Sequence, residues 1–267
     1  AVYPAAYGPV IAVGSMDWGF RPAYYTDYGS WVDITAPGGD AYTAQSVIDK
    51  KYYTNGMVMS TILCDDTMDY QDGRKDDDYW YGYGFMQGTS MACPHVSGVA
   101  ALGLAYAAQN GKKYTPSEFK ALLLSSVYGI DDYFTGSKRG DGVIVPDLSV
   151  YKNKMGGGCI DALKLLLAIK GTPAIYVKTG EAVTVDFARY FGGDKSVVAL
   201  ESAKFASPSN LGIGSSSAVF NGTKITFECS KTGTSLLTIT AKAGDTTIER
   251  EFAIVSRPSL AGNGGWL

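Results

Sequence analysis

The sequence is poor in the residues that usually bind transition metals, since it has one histidine and four cysteines among 267 residues. There is no Cys-x-x-Cys pair, and no two cysteines lie close together in the sequence; they are Cys64, Cys93, Cys159 and Cys229. A structural zinc ion needs about four convergent ligands, so we expect no zinc site of Cys and His. Cys93 and Cys229 fall in apolar patterns and are predicted to be small core residues. A Cys64–Cys159 disulfide remains an open alternative.

Two other features are missing, a cluster of positive charge and a long hydrophobic run. The net charge is -3 and the Lys and Arg residues are dispersed, which does not favour a nucleic-acid partner. No apolar run approaches about 18 residues, so no membrane span is predicted. The length of the chain allows two domains.

One stretch of the sequence combines a helix start with a reactive side chain. Residues 88–98 read Gly-Thr-Ser-Met-Ala-Cys-Pro-His-Val-Ser-Gly and lead into an apolar segment, residues 99–108. Thr89 or Ser90 is a favourable N-cap, and Pro94 costs little because the first four N–H groups of a helix have no intrahelical partner. Apolar and small residues nearly all round the segment predict a buried helix.

Ser90 would lie at the positive end of this helix, among backbone N–H groups without intrahelical partners. That position suits a nucleophile whose attack creates an oxyanion. The alternative is that Ser90 merely caps a core helix. An α/β-hydrolase nucleophile elbow is excluded, because it needs Gly two residues after the Ser, where Ala92 stands, and a catalytic His downstream, which the sequence lacks.

Residues 88–96 resemble the nucleophile motif of the subtilisin family (subtilases), Gly-Thr-Ser-Met-Ala-x-Pro-His-Val, with Cys93 at the one variable place. The resemblance implies that Ser90 is the catalytic serine and that its backbone N–H supplies half of the oxyanion hole. It also implies a serine endopeptidase that cleaves protein or peptide substrates through an acyl-enzyme and requires no cofactor.

The single histidine, His95, does not complete this machinery. Five residues along a helix turn a side chain by about 140°, so His95 is predicted to point away from Ser90. A subtilase carries its Asp, His and Ser in that order along the chain. The resemblance therefore implies that the Asp, the His and the Asn of the oxyanion hole precede residue 1. We expect this chain to be the C-terminal part of a catalytic domain, inactive alone, with the N-terminal part of that domain as its partner.

The pattern up to residue 171 predicts an α/β domain. Short apolar runs at residues 10–14 and 31–38 predict buried parallel strands, and they resemble the subtilase segments that follow the oxyanion Asn. Residues 57–63 resume a strand pattern. We expect residues 1–171 to be part of a subtilisin-like doubly wound parallel sheet with its central helix. Residues 129–155 fit the family poorly and are predicted to be an elaborated loop.

Two further helices are predicted in this domain from their first residues. Thr115-Pro116-Ser117-Glu118 is a capping box with Pro at the first helical position, and it predicts an amphipathic helix through Val127. Asp161 is predicted to cap a last helix that runs to Ile169.

Beyond Gly171 the pattern changes to strands with alternating apolar residues. The candidate strands are residues 174–178, 181–187, 197–202, 223–229, 235–241 and 246–255. Short strands of this number predict an antiparallel sandwich over residues 172–257. The sandwich resembles bacterial Ig-like domains, weakly, through residues 233–241. The Gly-rich tail, residues 258–267, is predicted to be flexible.

Two parts of the sequence are candidate cation sites. The acidic loop at residues 65–78 fails the EF-hand pattern, because counting back from Gly73 places Met68 at the first ligand position. A solvated loop, an irregular cation loop and a lid or substrate-contacting role remain alternatives. The subtilase resemblance also implies a weak Ca²⁺ site made by the backbone carbonyls of residues matching Ala5, Tyr7 and Val10 and by the carboxylate matching Asp33. Trp31 stands where a second acid can occur.

Two functions from different classes follow from these observations. The first is a fragment of an exported serine endopeptidase that is secreted, periplasmic or displayed on the cell surface, with the sandwich as an accessory module. The second is a non-catalytic binding or scaffolding protein that acts through the Ig-like sandwich. The presence or absence of Asp and His motifs in the preceding sequence discriminates between them.

Overall fold

The computed structural model describes residues 1–42, 56–61, 83–191, 197–243 and 245–258. The chain forms two compact units. The first comprises Ala1–Ala108 and Lys113–Ala162, and the second comprises Gln109–Lys112 and Leu163–Gly265.

The elements up to residue 160 are, in chain order, β1 (Val13–Met16), β2 (Ile34–Pro37), β3 (Val58–Thr61), β4 (Tyr83–Met86), α1 (Thr89–Gln109), α2 (Pro116–Ser125), β5 (Val127–Tyr128), β6 (Lys138–Gly140), β7 (Val143–Val145) and β8 (Cys159–Ile160). One sheet has the order β1-β2-β8-β5. Its β1–β2 and β2–β8 pairs are parallel, and β5 joins antiparallel. Strands β1 and β2 are mostly buried, so the prediction of short, buried parallel strands is confirmed.

Helix α2 begins as its sequence predicts. Thr115 is the N-cap, its hydroxyl accepts the Glu118 backbone N–H at 3.3 Å, and the Glu118 carboxylate accepts the Thr115 N–H at 2.7 Å. This reciprocal pair satisfies two N–H groups that the helix itself leaves unpaired. The hydrogen bonds from Thr115 also lower the pKa of Glu118.

Helix α1 is less buried than its sequence predicts. Its buried residues form one stripe: Ala92, Val96, Gly103 and Ala107. Leu102 and Leu104 are 48% and 50% exposed, and Cys93 is exposed as well. The predictions of a buried helix and of a buried Cys93 are therefore wrong for this chain. A helix that is apolar nearly all round is expected to be buried on all faces. Within the described residues, however, other residues cover α1 along one face only.

Helix α1 is also long and apolar enough to cross a membrane by length and composition alone. That test carries little weight, because a core helix of a soluble domain passes it equally well. The sequence prediction considered only uninterrupted apolar runs, whereas the helix includes Thr89, Ser90 and other small polar residues.

Residues 129–155, predicted to be an elaborated loop, contribute most of one hydrophobic cluster of the first unit. Strands β6 and β7 pair as an antiparallel hairpin. The buried side chains form a cluster that reaches β1 and β8: Met16, Ile130, Tyr133, Phe134, Leu148, Tyr151, Met155 and Cys159. The segment is thus part of the packed interior of the first unit. Cys64 lies outside the described residues, so a Cys64–Cys159 disulfide stays a prediction.

The second unit contains α3 (Ala162–Lys170), β9 (Ala174–Lys178), β10 (Ala182–Asp186), β11 (Val197–Phe205), β12 (Phe220–Asn221), β13 (Lys224–Glu228), β14 (Gly233–Ala243) and β15 (Thr246–Arg257). The seven strands form two sheets, β10-β13-β12 and β11-β14-β15-β9. All pairs are antiparallel except β9–β15. One hydrophobic cluster includes Val185 and Phe227 from the first sheet and Leu237 and Phe252 from the second. The six candidate strands are confirmed as strands, and Cys229 is buried as predicted.

Helix α3 packs on the outer face of the second sheet. Leu167 lies in a cluster with Ala253 and Val255 of β15, against which Leu163 and Tyr176 also pack. The compact units divide between Ala162 and Leu163, so α3 groups with the strands rather than with residues 1–161. The Ig-like resemblance of the sandwich stays a prediction, and residues 259–267 of the predicted flexible tail lie outside the described residues.

Candidate active site

Ser90 lies in the first turn of α1 with its side chain exposed. The carbonyl of Gly88 accepts the backbone N–H groups of Met91 at 2.9 Å and Ala92 at 3.2 Å. Gly88 is therefore the N-cap, and Ser90 is the second helical residue, not the cap that its hydroxyl suggested. Gly88 has a φ of 152°, which an L side chain rarely adopts.

The surroundings of the Ser90 hydroxyl suit a nucleophile. Because Gly88 is the N-cap and Ser90 is the second helical residue, this hydroxyl does not occupy the cap position of α1. The first turn of α1 carries no acidic side chain, so the helix itself does not neutralise the partial positive charge at its N-terminus. A negative charge that develops beside Ser90 would therefore be stabilised.

Gly88, the first residue of the motif, is held against the end of β2. The Gly88 N–H donates to the Gly38 carbonyl at 2.9 Å, and the Gly38 N–H donates to the Met16 carbonyl at 3.2 Å. A Cβ on Gly38 would lie 2.6 Å from the Gly88 oxygen and 1.9 Å from the Ser15 hydroxyl oxygen. Only glycine fits where these segments cross, which places Ser90 next to the carboxyl ends of β1 and β2.

Tyr25 forms hydrogen bonds with the residues at this same contact. Its hydroxyl donates to the carbonyls of Gly38, at 3.0 Å, and Gly39, and it shares a hydrogen bond of 2.9 Å with Ser15. Burial raises the pKa of Tyr25 well above its ordinary value, so this hydroxyl keeps its proton. The sequence analysis missed Tyr25, since one tyrosine among 19 carries no local signal.

His95 is engaged within its own helix. Its Nδ1 lies 2.8 Å from the Met91 carbonyl, one helical turn earlier. The imidazole is thus bonded to the backbone of α1, in line with the expectation that it does not serve Ser90.

The hairpin β3–β4 leads directly into the nucleophile segment. Its register pairs Val58 with Met86 and Thr61 with Tyr83, which confirms the strand predicted within residues 57–63. Met59, Tyr83 and Met86 are exposed by 61%, 49% and 39%, so this hairpin presents apolar side chains to solvent. The acidic loop, residues 65–78, lies outside the described residues.

Three of the four predicted cation ligands, Tyr7, Val10 and Asp33, already have hydrogen-bond donors. The Lys120 ammonium donates to the Val10 carbonyl at 2.8 Å and to the Gly8 carbonyl at 3.0 Å. The Tyr7 carbonyl accepts a backbone N–H at 2.9 Å, as does the Asp33 carboxylate. A cation at Val10 would meet the positive charge of Lys120, so these residues do not fit one in this arrangement. The described residues also contain no group of three or more His, Cys, Asp or Glu side chains that could hold a metal ion.

Comparison with known proteins gives consistent matches to proteases. A thermophilic serine proteinase of Bacillus sp. (strain AK1) is 38% identical over 99 residues, or 37% of this chain. An extracellular basic protease of Dichelobacter nodosus is 34% identical over 122 residues, or 46% of this chain. Each match spans 16% of the relative's own length.

Among solved structures, a protease from Pseudoalteromonas arctica PAMC 21717 matches at 27% identity with a TM-score of 0.41, covering 62% of this chain and 38% of that one. The sequence model of the Subtilase family matches residues 1–155, which is more than half of the chain and includes the whole segment from β1 to the end of β7. This chain therefore belongs to the subtilase family.

Proposed function

We propose that this chain is the C-terminal part of the catalytic domain of a subtilisin-like serine endopeptidase, with Ser90 as the nucleophile. The observation that carries the proposal is the exposed Ser90 hydroxyl in the first turn of α1, within the subtilase motif. Ser90 Oγ attacks the carbonyl carbon of a peptide bond as a base takes its proton, and that proton then passes to the nitrogen of the peptide bond, whose C–N bond breaks to release the amine product. The N–H of Ser90 stabilises the oxyanion at the helix N-terminus, and collapse of the intermediate leaves an acyl-enzyme that water hydrolyses.

The reaction needs a base for the Ser90 proton, and we place that base outside this chain. The sequence contains one histidine, and its Nδ1 is bonded to the Met91 carbonyl. In the subtilase order of Asp, His and Ser, the first two residues precede this chain, together with the Asn of the oxyanion hole. The chain alone is then inactive, since loss of the base costs roughly 10⁶ in turnover, a magnitude established for subtilisin itself.

The exposure of α1 supports the same proposal. Leu102 and Leu104 leave about half of their surface in water although the helix is apolar nearly all round. Covering a few hundred Å² of such surface at ~25 cal/mol per Å² stabilises a domain by several kcal/mol. The N-terminal part of the same catalytic domain is the partner that we expect to provide this cover.

The substrates that follow from this reading are proteins or peptides. We place the enzyme outside the cytoplasm, as secreted, periplasmic or surface-displayed, since a relative is named as an extracellular protease. The second unit would then be an accessory module, of the Ig-like kind, joined to the catalytic domain.

A fluorophosphonate probe tests the role of Ser90. In the full-length natural protein we expect labelling at Ser90 and casein hydrolysis, both abolished by Ser90→Ala. The 267-residue chain alone should label at least about 10⁴ times more slowly, because it lacks the base. Casein hydrolysis by the chain alone that Ser90→Ala removes would contradict the missing-base argument. A full-length protein that is folded but never labelled at Ser90 would refute the proposed function.

A further inference from the structure

A buried cluster of charges lies beneath the segment that holds Gly88. Lys138, in β6, is 4% exposed. It donates to Asp17 at 2.7 Å and to the Pro22 carbonyl at 2.7 Å, and it lies 2.9 Å from the Asp40 carboxylate. Asp17 and Asp40 are 1% and 0% exposed.

The first carboxylate, Asp17, organises a turn that follows β1. Its Oδ1 accepts the backbone N–H groups of Gly19 and Arg21, each at 2.9 Å, and its Oδ2 pairs with the Arg21 guanidinium at 3.1 Å. Burial alone would raise the pKa of Asp17, but the charges of Lys138 and Arg21 outweigh burial and hold the pKa below its ordinary value. These contacts stay within residues 17–21 and Lys138.

The second carboxylate, Asp40, organises the segment that follows β2. It accepts the Tyr24 N–H at 2.9 Å and the Tyr42 N–H at 2.8 Å, while its own N–H donates to the Gly56 carbonyl at 2.7 Å. Residues 38–42 are thus fixed by a carboxylate that lies 2.9 Å from the Lys138 ammonium.

Residues 38–42 form hydrogen bonds with the residues that precede Thr89 and Ser90. The Ala41 N–H donates to the Gln87 side-chain oxygen at 2.7 Å, and the Gly38 carbonyl accepts the Gly88 N–H at 2.9 Å. Two hydrogen bonds therefore join residues 38–41 to the two residues that precede Thr89 and Ser90. A displacement of residues 38–42 would therefore also displace the start of α1.

We propose that Asp40, held by Lys138, is a positioning residue for Ser90, and that Asp17, held by the same ammonium, is not. The proposal rests on the proposed role of Ser90 as the nucleophile. The physical reason is geometric: a nucleophile displaced by about 1 Å can lose on the order of a hundredfold in rate. Asp40 is bonded to the segment that holds Gln87 and Gly88, whereas the backbone N–H groups that Asp17 accepts belong to the turn at residues 19–21.

Asp40→Asn and Asp17→Asn form a matched pair in the full-length natural protein. Each variant replaces a buried carboxylate beside Lys138, so both should lower Tm. Asp17→Asn keeps one oxygen for the N–H groups of Gly19 and Arg21. Asp40→Asn keeps an oxygen for only one of the Tyr24 and Tyr42 N–H groups. Well below both Tm values, Asp40→Asn should slow kcat and fluorophosphonate labelling of Ser90 about ten- to a hundredfold with little change in KM. Asp17→Asn should stay within about twofold of the natural protein.

Hydrogen exchange gives a second readout that does not need activity. The peptide covering residues 85–91 should exchange faster in Asp40→Asn than in Asp17→Asn. If Asp40→Asn fails to fold, Gln87→Met replaces it, because it removes the bond to Ala41 without touching a buried charge, and it should slow labelling in the same way.

Two results would overturn the proposal: equal activities of the matched variants while both are folded, or equal exchange in residues 85–91. A natural protein that is never labelled at Ser90 would instead refute the proposed function, and the exchange contrast would still decide the positioning role.

Discussion

Lys138→Met should destabilise the protein strongly, and in a way that depends on pH. The substitution keeps most of the side-chain volume but leaves Asp17 and Asp40 buried without the ammonium that now lies 2.7 Å and 2.9 Å from them. Breaking a buried ion pair by removing one partner costs about 3–5 kcal/mol. Because the Lys138 side chain is 3% exposed, solvent screening does not reduce this figure much.

The sign of the pH dependence follows from Asp17. Its pKa in the folded protein lies below the ordinary value of 3.8, so the natural protein gains stability from Asp17 above that pH and loses it as the pH falls through the folded pKa. In Lys138→Met, Asp17 loses the charge of Lys138 that opposes burial, so the pKa of Asp17 rises relative to the natural protein and the carboxylate takes up a proton more readily on acidification. The loss of stability should therefore be largest near neutral pH and shrink towards about pH 4.

Urea unfolding at several pH values between 4 and 7 measures this difference. Lys113→Met, which removes an exposed lysine, is the control and should change the free energy of unfolding by less than about 0.5 kcal/mol. A loss below about 1 kcal/mol for Lys138→Met at pH 7, or a loss that does not vary with pH, would refute the reasoning about the buried cluster.

Three further predictions concern other contacts. Gly38→Ala should reduce both Tm and Ser90 labelling, because its methyl group would overlap the Ser15 hydroxyl and the Gly88 carbonyl; unchanged labelling would show that the crossing can relax. Thr115→Ala should lower Tm by about 2–4 °C through loss of the cap of α2, and a Tm within error of the natural value would contradict this. The natural chain should show no rise of Tm in millimolar Ca²⁺, whereas Lys120→Met should gain one because the Val10 carbonyl is then available. Mg²⁺ at equal ionic strength is the control, and equal Ca²⁺ responses of the natural chain and Lys120→Met would contradict this.

Local signals predicted much of the fold. The capping box at Thr115, the apolar runs that became β1 and β2, and the alternating strands of the second unit all depend on residues that are neighbours in sequence. The motif around Ser90 was predicted in the same way. Its N-cap was not, because Gly88 caps α1 through a backbone conformation rather than through the hydroxyls of Thr89 or Ser90.

Contacts between residues far apart in the chain could not be predicted from the sequence. Lys138 and Asp17 are separated by 121 positions, and nothing in either local pattern marks one as the partner of the other. Buried charges also contradict the expectation that Lys and Asp lie at the surface. The exposure of Cys93 and Leu102 was missed for a different reason, since an apolar pattern does not state which elements of a domain provide the cover.

Helix α3 sets a limit on how the second unit can be moved between proteins. Leu167 fills the outer face of the sheet formed by β14, β15 and β9, in contact with Ala253 and Val255. A recombination event or a protease cut at Gly171, where the strand pattern begins, would separate the sandwich from this helix and leave an apolar sheet face in water. A recombination event that keeps the second unit soluble therefore has to fall at or before Ala162. Helix α3 is then transferred together with the strands, as the first element of the module.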